Sequence, residues 1–380
     1  MPDAVIVDAV RTPTGKRNGG LSGVHPADLS AHVLQSLAAR TGIDPALVDD
    51  VIWGCVSQVG EQTFDIARTA VLSAGWPESV PGTTVDRQCG SSQQALHFAA
   101  AGVLAGHYDV VVAGGVESMS RVPMGSAVTS SPLGVGYAER YGPSFPQQGV
   151  GAQMIADTWG ITRARMDEFA LASHEKAARA VDEGRFSGQI APVQPPEGAA
   201  VVLDEGIRRG GTLASMAAVK PAFSPTGSVT AANASQISDG SAGMLVMDRT
   251  MAVSLGLTPI VRVHTAVLAG SSPMPMLTAP MPATAKALAR SGLSITDIGV
   301  FEVNEAFASV PLAWLADFGV DERLLNPHGG AIALGHPLGG SGARLMTTMI
   351  HHMRDNDIRY GLQTMCEGGG QANATILELL

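Results

Sequence analysis

Val85-Asp86-Arg87-Gln88-Cys89-Gly90-Ser91-Ser92 holds the first cysteine of this chain in a context that suggests chemistry. An extended run from Ser79 to Val85 leads in, and Gln93 to Gly106 reads as a helix leading out. Apolar Ala95, Leu96, Ala99, Val103 and Leu104 share one face of that helix. Cys89 is thus expected at a strand-to-helix turn, where free N–H groups and the positive end of the helix dipole meet. Such a setting favours the thiolate, the form of cysteine that attacks carbon. Gly90 lets a ligand approach the backbone, and Ser91 or Ser92 can cap the helix. A lone cysteine under a helix is as readily a packing residue, so other parts of the chain must decide.

At 380 residues the chain exceeds the size at which one core stops growing, and two fused halves are expected. A net charge of −10 with no Lys/Arg cluster excludes nucleic acid as a partner. Three cysteines, Cys55, Cys89 and Cys366, form neither a disulfide framework nor a zinc motif, which points to a reducing compartment. The first residues lack a basic region followed by an apolar core, and no apolar run is long enough to span a bilayer. The expected location is cytoplasmic, with no membrane partner and no bound metal.

Strands alternate with helices through the first part: Ala4–Val7, helix 26–40, Val51–Val56, helix 64–74, Thr83–Val85, the Cys89 helix, and Val110–Gly115. This alternation means parallel βαβ units with helices on both faces of a sheet. From Glu117 to Asp248 the rhythm breaks, with many prolines and one clear helix from Arg165 to Glu183. That span is too long for a connection and too apolar for a linker, so it reads as an inserted loop domain. Alternation resumes after Pro259. The two halves resemble each other, "VDDVIWGCV" answering "ITDIGVFEVNEAF", as a duplicated five-strand unit would. The expected division is 1–117 plus 249–258 for the first half, 118–248 for the insertion and 259–380 for the second half.

Three constellations in the second half draw attention. Asn304-Glu305-Ala306-Phe307 follows a strand at its carboxyl end, where open α/β sheets bind ligands. Gly329 to Gly340 is a glycine-crowded loop holding one imidazole, His336, which Pro337 bars from helical angles. Cys366-Glu367-Gly368-Gly369-Gly370 again follows a strand, leaving a thiol accessible beside bare N–H groups.

Cys-Gly-Ser, Asn-Glu-Ala-Phe, Gly-His-Pro and Cys-x-Gly, in this order, resemble the motifs of the thiolase family, and the likeness runs from "VDAVRTPTGK" to the C-terminus. The resemblance implies an α/β thiolase fold: duplicated βαβαβαββ halves stacked as a five-layer αβαβα sandwich, with a loop domain, usually in a homodimer or homotetramer. It implies acyl-CoA and 3-ketoacyl-CoA substrates, with coenzyme A as a co-substrate and no permanently bound cofactor. Cys89 corresponds to the acylated nucleophile, His336 to the base that activates it and the CoA thiol, and Cys366 to the acid/base acting on the acetyl α-carbon. One oxyanion hole would combine His336 with a water held by Asn304. The other would use the N–H groups of Cys89 and Gly368. Cleaving a 3-ketoacyl thioester needs a soft nucleophile for the ketone, a proton donor for the acetyl-CoA enolate, and donors for two oxyanions.

The likeness also places coenzyme A. "DEGIRRGGTLASMAAVKPAF" puts Arg208 near the nucleotide and Ser215 and Ala222 along the CoA, while "VTAANASQISDG" brings Ala231 and Ser235 to the pantetheine and Phe307 to the cleft wall. Gly149-Val150-Gly151 stands where short-chain members carry His-Met-Gly, so the expected acyl pocket is enlarged, provided that neither Met119 nor Met124 fills it. Glu367 fills the variable position of Cys-x-Gly, and an inward anion there would oppose a Cys366 thiolate. The resulting expectation is degradative, CoA-dependent thiolysis of 3-ketoacyl-CoA, or the reverse Claisen condensation. The alternative is an acetoacetyl-CoA-forming acetyltransferase. More remote are a β-ketoacyl synthase-like condensing enzyme, which would replace Cys366 by His or Asn, and a non-catalytic acyl-CoA or lipid carrier, which would have lost reactive residues.

Overall fold

A computed structural model describes residues 3–144 and 146–380. The first half runs β1 (Ala4–Arg11), β2 (Gly15–Lys16), α1 (Pro26–Thr41), β3 (Asp50–Gly54), α2 (Ile66–Ser73), β4 (Gly82–Val85), α3 (Ser91–Leu104) and β5 (Val110–Ser118). Then come α4 (Val135–Tyr141), α5 (Gln148–Thr158), α6 (Arg163–Asp182), α7 (Leu213–Ala217), β6 (Ser238–Asp248) and α8 (Arg249–Ser254). The second half holds β7 (Val261–Gly270), α9 (Pro280–Ser291), β8 (Val300–Val303), α10 (Ser309–Phe318), α11 (Ala331–Leu334), α12 (Ser341–Asp355), β9 (Tyr360–Glu367) and β10 (Gln371–Leu379).

The strands form one path, β4-β3-β5-β6-β1-β7-β10-β9-β8. Its two wings meet through only two residue pairs, Val5 with Arg262 and Ile6 with Val261. Strands β1 and β5 are buried along their whole length, as continuous apolar runs covered on both faces require. Leu29, Val33 and Leu37 of α1 and Ile66 and Val71 of α2 cover one outer face together with Trp53. Between the wings lie α3 and α12, where Leu96, Ala99 and Val103 meet Met346, Met349 and Ile350 in a shared core. Ala283 and Ala287 of α9 and Trp314 of α10 cover the other outer face. The outcome is the expected five-layer α/β stack.

The duplication is visible strand by strand. The order β3-β5-β6-β1 with β3 and β5 parallel is matched by β8-β9-β10-β7 with β8 and β9 parallel. The second wing departs from the expected five strands: opposite β8, the counterpart of β4 is a single parallel bridge from Phe301 to Leu325. A second correction concerns the insertion, which was expected to reach 248. Residues Ser238–Asp248 form β6, hydrogen-bonded on both sides to β5 and β1 in the middle of its wing. The inserted segment therefore ends before Ser238, and it carries α4, α5 and α7 besides the expected long helix α6.

Candidate active site

Cys89 lies in the short turn after β4, beyond Asp86, Arg87 and Gln88, and one residue before the α3 cap Gly90. Gln88, immediately before it, has a left-handed backbone (φ 49°), and its N–H donates to Asp86 Oδ1 at 2.6 Å. A non-glycine residue held there is strained, which is common where a turn must aim one side chain. The capping expectation is corrected. Gly90 caps α3 with no side-chain bond, while Ser91 Oγ accepts from Arg87 N at 2.9 Å and donates to Gln88 O at 2.6 Å. Ser92 Oγ reaches across the molecule and accepts from Ala343 N of α12 at 2.9 Å.

The four motifs converge. Cys89 packs in one buried cluster with Met119, with Leu338 from the histidine loop and with Met365 from β9. Asn304, at the end of β8, places its amide Nδ2 3.4 Å from His336 Nε2, and its side chain lies close enough to Cys366 to favour that thiolate. The proximity of the two thiols itself raises Cys366, second only to burial. Asn304 Oδ1 is buried without a partner, an acceptor suited to the ordered water expected there.

The histidine loop is held by contacts that sequence reasoning missed. His336 Nδ1 lies 2.6 Å from Ser341 Oγ, whose own proton goes to Pro337 O at 2.8 Å. Ser341 can then only accept, so Nδ1 carries the imidazole proton and Nε2 is left with a free lone pair toward Asn304. Burial, with the Arg344 cation adding to it, lowers His336 to about 3, so the ring is neutral at neutral pH. Glu117, at the end of β5, ties this loop to the first half. Its carboxylate accepts from Gly339 N at 2.9 Å, Val56 N and Ser57 N at 3.0 Å, and Gln62 Nε2 at 2.7 Å. The loop crosses β3 and β5 so closely that a Cβ on Gly115 would lie 2.2 Å from Gly339 O. Glu305 does the same work below, accepting from Asn326, Ser173 and Ile332 N.

Burial and nearby anions work against the thiolate that the turn favours at Cys89, and raise Cys366 as well. Burial pushes Cys89 up to about 12, and the charges of Glu367, Glu117 and Asp86 add to this, outweighing its backbone hydrogen bond. Cys89 is therefore a buried thiol packed against Leu338 of the loop that carries the neutral His336 imidazole. Glu367 is fully buried but does not share the reacting face of Cys366; it lies under Gly90. Gly368 is buried in the turn that follows β9.

The expected CoA contacts divide. Arg208, Ala231 and Ser235 line one groove of about 510 Å³ together with Lys16 and Arg17, two cations that the sequence reading passed over although "TGKR" advertises them. Ser215 and Ala222 do not line it. Ser215 Oγ is used locally in a capping box with Thr212, and Ala222 N donates to Val229 O. Phe307 is buried, its backbone bridged to Ala234 and its ring T-stacked on Phe223 at 5.8 Å.

The enlarged acyl pocket is also corrected. A Cβ on Gly149 would lie 2.3 Å from the Phe223 ring, so the volume of the His carried there by short-chain members is already filled. Val150 is half-exposed, Met124 is exposed, and Met119 is the methionine that packs on Cys89. Among the described residues no group of three or more potential metal ligands occurs, and no helix is long and apolar enough to cross a membrane.

Residues 4–250 match the thiolase N-terminal domain and residues 257–379 the thiolase C-terminal domain. The chain is 48% identical over its whole length to 95% of the steroid 3-ketoacyl-CoA thiolase FadA6 of Mycobacterium tuberculosis. It is 47% identical to a 3-ketoacyl-CoA thiolase of Saccharophagus degradans, over 99% of this chain and 98% of that one. The crystal structure of the Bacillus anthracis acetyl-CoA acetyltransferase superposes with a TM-score of 0.92 at 37% identity, covering 100% of this chain and 99% of that one. The chain belongs to the thiolase family and is an acyltransferase that uses coenzyme A as its co-substrate.

Proposed function

We propose that this thiolase cleaves 3-ketoacyl-CoA through an acyl-Cys89 intermediate. His336 Nε2 takes the Cys89 proton, and the thiolate attacks the ketone carbon. Cys366 protonates the departing acetyl-CoA enolate. As acetyl-CoA leaves, His336 returns its proton to the Cys366 thiolate; it then takes the proton of a second CoA thiol, whose sulfur attacks the Cys89 thioester, and gives that proton to the Cys89 thiolate as it is released. The Asn304–His336 pair faces one oxyanion, and the N–H groups of Cys89 and Gly368 face the other. The observation that carries this reading is His336 Nδ1 placed 2.6 Å from a Ser341 hydroxyl directed at Pro337 O, which leaves Nε2 as the base, facing Asn304. Incubation with an acyl donor and no free CoA should leave one acyl group per chain on Cys89, and Cys89→Ala should abolish both labelling and turnover. Labelling at Cys55 or Cys366 instead would overturn the assignment.

Coenzyme A is assigned to the groove of Lys16, Arg17, Arg208, Ala231 and Ser235, whose cations suit its phosphates. The preferred substrates are 3-ketoacyl-CoA esters longer than acetoacetyl-CoA, supported by relatives named for that class at 45–48% identity against 37% for the acetyl-CoA acetyltransferase. Phe223 over Gly149 favours the short-chain alternative, and kcat/KM on acetoacetyl-CoA against a six-carbon or bulkier ester separates the two. A homodimer or homotetramer in the cytoplasm is the working state. Strand β4 ends the sheet path with one edge unpaired among the described residues, and Phe64 beside it is 93% exposed.

A further inference from the structure

We propose that Glu367 is a positioning residue that makes Cys89 reactivity depend on a second proton: as a neutral acid it permits the Cys89 thiolate, and as an anion it opposes it. This rests on Cys89 being the nucleophile.

Cys366 and Glu367 are consecutive in β9 and project to opposite faces. Cys366 meets Cys89 and Asn304, while Glu367 runs under the first turn of α3. A Cβ on Gly90 would lie 2.0 Å from Glu367 Oε1 and 2.8 Å from its Cδ, so the carboxyl occupies the place of a side chain at position 90. The residue is fully buried, and neither carboxyl oxygen has a hydrogen-bond partner of good geometry. The Asn373 backbone N–H is directed at the carboxyl and favours its anion, while Asn373 Nδ2 is used on Gly90 O at 3.0 Å. A carboxyl so placed bears directly on the peptide that follows the nucleophile.

The groups that face it are few. The β4–α3 connection brings Arg87, Asp86 and Cys89, its own strand brings Cys366, and β10 brings neutral Asn373 and Gln371. Glu117 faces Cys89 from β5. Arg87 favours the anion, but its Nη1 is bound to Gln371 Oε1 at 3.0 Å and its Nε is buried without a partner. Burial outweighs Arg87 and the Asn373 N–H and pushes Glu367 up to about 8, with Asp86 adding to the rise. Glu367 is also the largest contributor after burial to the rise of Cys89. Below its titration Glu367 therefore adds no charge near the thiol. Above it, the anion holds the Cys89 proton on, and by reciprocity a Cys89 thiolate keeps Glu367 protonated.

The test is the rate of Cys89 alkylation by iodoacetamide over about pH 6 to 10 in the wild type and Glu367→Gln, with the modified residue mapped by peptide mass spectrometry. The two rates should coincide below about pH 7 and separate above about pH 8. There the Gln variant should be faster, by about ten-fold for each pK unit the anion adds to the thiol. Equal profiles, or a Gln variant slower by one factor at every pH, overturn the inference while leaving Cys89 as nucleophile. Alkylation and acylation mapped to another cysteine overturn the nucleophile assignment instead. If the variant does not fold, the carboxyl ¹³C shift of Glu367 in the wild type decides: movement near pH 8 supports the inference, and movement confined below about pH 5 overturns it.

Discussion

Ser341→Ala removes one hydroxyl and tests what makes His336 a base. In the wild type, Nδ1–H donates to Ser341 Oγ at 2.6 Å, and the hydroxyl proton is committed to Pro337 O at 2.8 Å. Without the oxygen, the Nδ1–H tautomer leaves a buried donor unpaired, a penalty of about 1–3 kcal/mol. The ring escapes this by moving its proton to Nε2, where it can no longer accept from Cys89. That penalty corresponds to a factor of about 5 to 150 in tautomer population, and kcat/KM should fall by the same factor. Global stability should fall by only about 1 kcal/mol, because the Pro337 carbonyl loses one neutral hydrogen bond. The assay is thiolysis kinetics beside ¹⁵N NMR of the His336 ring, which reports the protonated nitrogen directly. A variant with kcat/KM within two-fold of wild type, or with Nδ1 still carrying the proton, would refute the reasoning.

Other outcomes follow from the same geometry. Cys366→Ala should still be acylated at Cys89 by acetyl-CoA but lose exchange of the acetyl α-protons and carbon–carbon bond formation; condensation near the wild-type rate would sink its role. Phe223→Ala should vacate the volume over Gly149 and shift kcat/KM toward bulkier 3-ketoacyl esters, by about four-fold per newly buried methylene at ~0.8 kcal/mol each. An unchanged chain-length profile would place the acyl group elsewhere. Asp204→Asn breaks a fully buried bidentate pair with Arg11, at 2.7 and 2.9 Å, and should lower unfolding stability by about 3–5 kcal/mol in denaturant titration. Although burial pushes the Asp204 carboxyl up, Arg11 and Thr14 N hold it below its ordinary value. Its contribution should therefore be present above about pH 4 and be lost as the pH falls further, and acid unfolding of Asp204→Asn should lack that component.

Cys89, Asn304 and Cys366 were legible because each sits at or just beyond the carboxyl end of a strand, and His336 because glycines and Pro337 crowd its loop, all of them local signals. Strand β6 was not legible: "SDGSAGMLVMD" opens on turn-forming residues, and its partners β1 and β5 lie more than a hundred residues away. Ser341 and Glu117 escaped notice because their roles are exercised through another residue, which no spacing announces. The space expected at Gly149 is filled for a related reason. An absent side chain is visible in sequence, whereas the ring of Phe223 filling its place comes from another segment. The pull of the helix N-terminus toward a Cys89 thiolate can be read locally, but the opposing burial among Glu367, Glu117 and Asp86 cannot.

The meeting of the two wings through two residue pairs bears on how the enzyme comes into being. Contacts that define the site join residues 251 to 283 positions apart: Ser92 to Ala343, Gln93 to Thr375, and Gly90 to Asn373. Closing loops of that length is entropically unfavourable until both wings exist to hold them. During refolding, each wing can acquire its strands and outer helices while Cys89 remains an ordinary thiol, open to any reagent. Protection of that thiol should therefore lag behind the recovery of secondary structure and mark the moment at which α3 and α12 close on each other.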